Sequence, residues 1–433
     1  MSRWSDRYRE LTPGSQKLFE RAQRVLPGGV SYQIRDLPPY PFYVSRAAGA
    51  RVYDVDGNEY ADYWCGHGAL ILGHAPAPVV AALARQVELG THWGFAHPLE
   101  VRLAEMISSR VRSAEMVRYT ASGTEANMYA VALARAVTGR RAVAKIEGGW
   151  HGGCETLNKA VRQLSGAPES AGLSEAALGE TVVVPFNDLE KADEALRRHH
   201  PACLFVEPML GAAGFIPAEP GYLAGLASLC EEHGTLLVFD EVITGFRIAP
   251  GGAQEYFGVT PHISILGKIV GGGLPVGAIC GRREIFERLD HRRFQNAAER
   301  VFQGGTFIGN PMTMTAGIAT LEQLGSRTPY DYLAALGEEA RSSLEAIFDR
   351  FGVDAAVTGL ESTFCLHFRK GKPKNAREAA DSDKAMARGY FEFMLANGVV
   401  FLSPPLPHMF LSTAHTREDI ARLLQLTEDF LRA

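Results

Sequence analysis

The sequence predicts an α/β protein: a large domain with a mainly parallel sheet covered by helices, and a smaller α+β domain. Three observations carry that expectation. From about residue 75, helical stretches alternate with short apolar runs, the pattern of strand–helix units on a parallel sheet. Over the last hundred or so residues, longer helices with isolated strand-like runs replace that pattern. The chain of 433 residues also exceeds what one ordinary core holds, so two domains are expected.

Taken in order, residues 1–26 read as an amphipathic helical arm ended by Pro27-Gly28-Gly29. The arm has no apolar core segment, so no signal peptide is expected. Runs at 51–55 and 59–63 flank Asp56-Gly57-Asn58, a hairpin with Asp-Gly in its turn. Helices are expected at 78–89, 99–110, 124–138, 189–199 and 222–233, and strands at 116–120, 142–146, 181–185, 203–206, 236–240 and 263–267. The stretch 162–180, rich in Gly and Ser, reads as a mobile loop or lid. Beyond it come a helix at 329–350, a strand at 363–368, a polar loop at 369–382, a helix at 383–397, a strand at 399–402 and a closing helix at 417–431. The expected division is an arm and hairpin over 1–74 that join the small domain, a large domain over 75–325, and the small domain over 326–433.

Composition narrows the function. Lys plus Arg number 44 against 49 Asp plus Glu, which leaves no basic footprint for nucleic acid or an anionic membrane. No run of about 18 apolar residues suggests a membrane span. The six cysteines are scattered without a CxxC pair, which suits reduced thiols in the cytoplasm and offers no metal site.

The chemistry is most legible around Leu266-Gly267-Lys268-Ile269-Val270-Gly271-Gly272-Gly273. Lys268 follows an apolar run and precedes three glycines. A lysine held in such a semi-enclosed turn loses hydration, and its amine becomes nucleophilic. Upstream, Leu236 to Phe239 form an apolar strand that ends on Asp240. A carboxylate buried there needs a donor or cationic partner. A protonated pyridine nitrogen and Arg247 are both candidates. A carboxylate with a nucleophilic lysine is the pair that pyridoxal phosphate requires, and ligands of parallel sheets bind at strand C-terminal ends.

Further motifs are compatible with that cofactor. Ser122-Gly123-Thr124-Glu125 opens a helix after a strand, where free N–H groups suit a phosphate, although Ser-x-x-Glu is also the spacing of a plain capping box. Trp150 in Trp150-His151-Gly152 follows an apolar run and is placed either to stack on a ring or to pack on the surface. Gly305-Thr306 offers a bare amide and a hydroxyl, or a simple turn. Arg35 has the fork that grips a carboxylate, or is a plain surface arginine, the more common case.

In sequence, Ser122-Gly123-Thr124-Glu125-Ala126, Trp150-His151-Gly152, Asp240-Glu241-Val242-Ile243-Thr244-Gly245-Phe246-Arg247, Leu266-Gly267-Lys268 and Gly305-Thr306 resemble the class III pyridoxal-phosphate aminotransferases, of fold type I. Pro27-Gly28-Gly29-Val30, Gly251 to Tyr256 and Gly309-Asn310-Pro311 resemble the glutamate-1-semialdehyde aminomutase branch. The resemblance implies that Lys268 carries the cofactor and Asp240 pairs with its ring nitrogen. It also implies that Ser122, Gly123 and Thr124 hold the phosphate, joined by Gly305 and Thr306 of a neighbouring subunit in a homodimer. Trp150 and His151 take the ring-stacking segment, and Arg35 falls where that branch binds a carboxylate.

Departures from the branch redirect the substrate. Gly211-Ala212-Ala213-Gly214 lacks the glutamate that many class III enzymes carry there. Pro405-Leu406-Pro407-His408-Met409 lacks the acidic residue of true aminomutases. His67 replaces a tryptophan usual in that enzyme, and its Gly66-His67-Gly68-Ala69-Leu70 run is similar to D-phenylglycine aminotransferase. The segment from Glu207 to Pro217 is similar to β-phenylalanine aminotransferases. The expectation is an aminotransferase that moves the amino group of an aromatic or apolar amino acid, α or β, to a 2-oxo acid. The alternatives are the aminomutase and a racemase on the same scaffold.

Overall fold

The computed structural model describes residues 3–165, 168–402 and 405–433. These form two compact units, one of residues 77–330 with 373–380, and one of residues 1–76, 331–372 and 381–433.

The first of these units is built on a seven-stranded sheet. Its order is Met116–Thr120, Gly277–Gly281, Ile263–Gly267, Leu236–Asp240, Cys203–Val206, Val143–Ile146 and Thr181–Val184. Neighbours pair in parallel except at Gly277–Gly281, which runs antiparallel to both of its neighbours. That strand was not foreseen. All five of its residues are buried, so it shows no in–out alternation, and two of the five are glycines. Gly277 has a packing reason: a Cβ there would lie 2.2 Å from the Ser122 carbonyl oxygen.

The central strands are apolar because helices cover both faces. Gly123–Thr138 lays Ala126, Ala130, Val131, Leu133 and Ala134 onto the core and stops at Gly139, whose φ of 69° is the left-handed helix stop. Leu189–His199 starts on Asp188, whose carboxylate accepts from Lys191 N at 2.9 Å. Observed boundaries differ from the expected ones by a residue or two at most of these ends, as fraying ends do. The polar stretch 369–382 contains a short helix, Ala376–Ala380. In 162–180, Gly166 and Ala167 lie outside the described residues. The flanks are tied down: Glu169 Oε1 accepts from the backbone N–H of Val161, Arg162 and Gln163.

In the second unit the arm is two helices, Arg3–Leu11 and Pro13–Ala22, broken where Pro13 cannot donate. The hairpin Arg51–Asp54/Glu59–Asp62 forms, and its sheet gains Val44–Ala48 on one edge and Val399–Val400, parallel, on the other. A three-stranded antiparallel sheet unites Ala356–Thr358, Thr363–His367 and His408–Phe410. Helix Thr328–Phe351 from Asp331 onward, with helices Lys384–Ala396 and Arg417–Arg432, completes the unit. The last begins with a capping box between Thr416 and Asp419.

Candidate active site

Five parallel strands of the large sheet deliver a polar group just beyond their C-terminal ends. Ser122 follows Met116–Thr120, the segment Glu147 to His151 follows Val143–Ile146, and Glu207 follows Cys203–Val206. Asp240 closes Leu236–Asp240, and Lys268 follows Ile263–Gly267. The apolar strands bury these positions, and the crossover loops aim them at one end of the sheet.

Asp240 is the best-connected member. Its Oδ2 lies 2.8 Å from His151 Nδ1 and accepts from Asn127 Nδ2 at 3.0 Å, while Oδ1 accepts from Val242 N at 3.1 Å. Asn127 Nδ2 also reaches the His151 carbonyl at 3.2 Å, which locks the cluster. Burial lowers the His151 pKa, against the upward pull of Asp240, which favours the neutral ring. Its Nδ1–H then donates to Asp240, and Nε2 is left as an acceptor, a tautomer assigned from the hydrogen-bond network. Both His151 Nε2 and Asn127 Oδ1 are buried without a partner among the described residues.

Lys268 sits at φ +51°, a left-handed conformation rare for a residue with a Cβ, at the head of the turn Lys268–Gly271. Burial lowers the pKa of its amine, against which Asp240 and Glu207 push upward, and Arg247 adds to the lowering. The strained backbone and desolvated amine suit a lysine held ready to react.

The helix Gly123–Thr138 begins on Ser122, whose hydroxyl accepts from Glu125 N at 3.2 Å, while Glu125 Oε2 accepts from Ala121 N at 3.0 Å. The Ser-x-x-Glu spacing therefore does act as a cap. The cap leaves the N–H groups of Gly123 and Thr124 with no acceptor inside the helix. Glycines close in around them: a Cβ on Gly152 would stand 2.1 Å from Thr124 Oγ1, and one on Gly123 3.0 Å from Val242 Cγ2. Gly153 N donates to Thr124 Oγ1 at 3.2 Å. A helix N-terminus walled by glycines fits a phosphate.

Other expected residues are placed as follows. Trp150 is 42% exposed, so its indole has surface left to cover a ring, and its backbone N–H is held by Glu207 Oε1 at 2.8 Å. Gly305 and Thr306 are exposed, in a loop tied through Gly304 O to the Tyr129 hydroxyl at 3.1 Å. Arg35 and His67 belong to the other unit. Arg35 is exposed at the end of the turn Gln33–Arg35. His67, at φ +60°, stacks on Tyr32 at 5.6 Å and meets Trp64 edge-on at 4.2 Å.

Glu207 carried a signal that sequence reasoning passed over: an apolar strand that ends on a carboxylate, the same signature as Asp240. It is buried, accepts from Trp150 N and Gly211 N, and its pKa is pushed up to about 8, by burial first and then by Asp240. Asn127 and Val242 had no such signal, because each is unremarkable in its local pattern.

A sheet whose strand ends gather buried carboxyl groups, a desolvated lysine and a helix N-terminus that fits a phosphate defines a pyridoxal-phosphate enzyme of fold type I. Residues 32–408 match the aminotransferase class-III family model, and the chain belongs to that family. It is 41% identical over 428 residues to a glutamate-1-semialdehyde 2,1-aminomutase of Methylacidiphilum infernorum, covering 96% of this chain and 97% of the relative. It is 43% identical over 422 residues to the enzyme of that name from Methanothermobacter thermautotrophicus, covering 96% and 98%. An omega-transaminase from Sphaerobacter thermophilus superposes with a TM-score of 0.92 at 34% identity over 98% of both chains. A β-phenylalanine aminotransferase from Variovorax paradoxus gives 0.90 at 33%, over 99% of this chain and 96% of that one. A transaminase solved with pyridoxal phosphate bound gives 0.89 at 34%, over 97% of both. The cofactor is pyridoxal phosphate.

Proposed function

We propose that the chain is an aminotransferase that passes the amino group of a carboxylate-bearing amino compound, aromatic or apolar, to a 2-oxo acid. The observation that carries transfer over internal rearrangement is the segment 405–409, which contains no carboxylate where the resemblance to the aminomutase branch implies an acid. At least three transaminase structures at 33–34% identity support the same reading. A second reading, the aminomutase, is favoured by the 39–43% identity to relatives of that name.

Pyridoxal phosphate supplies an electron sink for the pair released when a substrate C–H bond breaks. The protein does the rest. Lys268 Nζ would hold the cofactor, and its free amine would serve as the base that takes the substrate proton and returns it. Its lowered pKa keeps a larger share of the amine neutral and able to do so. Asp240 would accept a hydrogen bond from the protonated ring nitrogen, and His151 and Asn127 fix the orientation of that carboxylate. Gly123 and Thr124 N–H groups bind the phosphate at the helix N-terminus, with the Ser122 cap holding that turn, and Gly305 and Thr306 of a second copy complete it. Trp150 covers the ring. Arg35 orients the substrate carboxylate, and His67 with Tyr32 and Trp64 shapes what lies beside it. A homodimer is consistent with Phe95, Phe302 and Phe307, which are 83%, 78% and 62% exposed in one copy. The compartment proposed is the cytoplasm.

The test is a panel of D-, L- and β-amino acids, each with a 2-oxo acid acceptor. It is scored by loss of the visible band of the lysine-bound cofactor and by release of the oxo product. Glutamate-1-semialdehyde is run alone beside it. Turnover of the semialdehyde to 5-aminolevulinate with no acceptor, and none of the panel, overturns the proposal in favour of the aminomutase.

A further inference from the structure

Two buried ionisable side chains converge on a single peptide bond. Lys145, 0% exposed on the strand Val143–Ile146, donates from Nζ to the carbonyl of Gly149 at 2.8 Å and to that of Lys159 at 2.7 Å. Glu207, 4% exposed, accepts from Trp150 N at 2.8 Å through Oε1 and from Gly211 N at 3.1 Å through Oε2. Gly149 C=O and Trp150 N–H are the two ends of one planar unit. The Lys145 amine thus holds one end of the plane and the Glu207 carboxyl group the other, and burial disfavours the charged form of each. Neither side chain makes a direct salt bridge among the described residues. Burying an ion is costly without a compensating partner, and here the peptide dipole links the two. Glu207 is the foremost charge offsetting the desolvation of Lys145.

We propose that Lys145 and Glu207 act as one clamp on the Gly149–Trp150 peptide, as positioning residues that set Trp150 over the cofactor ring. The inference rests on the role of Trp150 given above. The geometry favours a clamp over general support of the core. Lys145 ties the two ends of the 149–159 loop to the sheet, and Glu207 ties the same loop to the next one at Gly211. Gly149 leaves little slack, because a Cβ there would meet His151 Nε2 at 3.0 Å and the Ile146 carbonyl at 3.2 Å.

The test compares Lys145→Met, Glu207→Ala, Glu207→Gln and the Lys145→Met/Glu207→Ala double variant by two measurements. The first is the rate at which the holoenzyme loses its visible band in cofactor-free buffer. The second is acrylamide quenching of Trp150 emission in cofactor-stripped protein, taken as the difference from the same variant carrying Trp150→Phe. Lys145→Met and Glu207→Ala should each speed cofactor loss about tenfold to a hundredfold, the range for a hydrogen bond to a charged group, and raise Trp150 quenching. The double variant should be no worse than the worse single, because one clamp is lost once. Glu207→Gln keeps an oxygen that accepts from Trp150 N–H, so it should stay within about threefold of wild type. A double variant equal to the product of the singles, or Trp150 quenching unchanged in Lys145→Met, overturns the clamp. If Glu207→Ala does not fold, the Lys145→Met quenching decides. If wild type holds no cofactor, the functional reading fails while quenching still judges the clamp.

Discussion

Asp240→Asn separates catalysis from folding, because its effects on the two have different sizes. The carboxylate accepts three hydrogen bonds, two through Oδ2 from His151 and Asn127 and one through Oδ1 from Val242 N. A carboxamide offers one oxygen. If that oxygen serves Val242, the new NH2 faces His151 Nδ1 and Asn127 Nδ2. His151 can adapt by moving its proton to Nε2, which has no competing partner, but Asn127 keeps only the His151 carbonyl and loses the other of its two acceptors. One buried donor left unmade costs about 1–3 kcal/mol. Removing a buried anion offsets part of that, since Asp240 also pushes up the pKa of nearby Glu207. The net loss of stability is therefore about 2 kcal/mol or less, a shift of a few degrees in the thermal midpoint. Catalysis has no such offset. Losing one partner of a buried, hydrogen-bonded charge pair costs about 3–5 kcal/mol, so kcat should fall by two to four orders of magnitude. The assay pairs a thermal melt with single-turnover loss of the visible band. A variant that keeps more than about a tenth of wild-type turnover refutes the ring-nitrogen role. A variant that loses both fold and turnover shows that Asp240 acts on the structure.

Three other perturbations follow from the same geometry. Lys268→Ala should abolish the visible band of the lysine-bound cofactor and essentially all turnover, checked by absorbance and product assay, and retained activity would remove Lys268 from its role. Gly152→Ala places a Cβ 2.1 Å from Thr124 Oγ1 on a backbone at φ +73°. It should cost about 1–2 kcal/mol in backbone strain alone and weaken cofactor binding about tenfold or more as the Thr124 turn is displaced, read by cofactor titration. His415 is buried and neutral, its pKa lowered to about 4, and its Nδ1 accepts from Ser412 N at 3.1 Å. The unfolded chain takes up that proton near pH 6.5 and the folded chain only near 4, so stability should fall as pH drops through that window, by about 3 kcal/mol in all. His415→Asn should flatten that part of the urea midpoint against pH, and an unchanged slope would count against the assignment.

Lys268 and Asp240 were legible because each breaks an apolar strand with an ionisable group, a contrast that local sequence displays. Glu207 broke Cys203–Val206 in the same way, yet it was read only as part of a similar stretch. The strand Gly277–Gly281 was hidden by its glycines and by burial on both faces, which erases the alternation by which strands are read. Asn127 lies inside an ordinary helix pattern, and only the fold brings it to Asp240. The cap at Ser122 was visible in the spacing Ser122–Glu125. What the spacing could not display is Gly152 closing on Thr124, because 27 residues separate Thr124 from Gly152 and the sheet brings them together.

The two readings of function differ over residues that the chemistry at Lys268 does not use. Lys268, Asp240, His151, Glu207 and the Ser122 turn all belong to the unit of residues 77–330, whereas Arg35, His67 and the segment 405–409 belong to the other. Pro407 is the sharpest of these. It is buried, and its carbonyl accepts from Leu366 N at 3.2 Å. A glutamate there would bring a charge into a buried position, at a cost of several kcal/mol unless a partner meets it. The aminomutase reading requires such a partner, and the aminotransferase reading does not. Pro407→Glu should therefore lower the thermal midpoint by several degrees and leave glutamate-1-semialdehyde untouched in a single-substrate run. If the variant melts like wild type and converts the semialdehyde without an acceptor, a complete aminomutase pocket surrounds position 407, and the aminomutase reading replaces the one proposed.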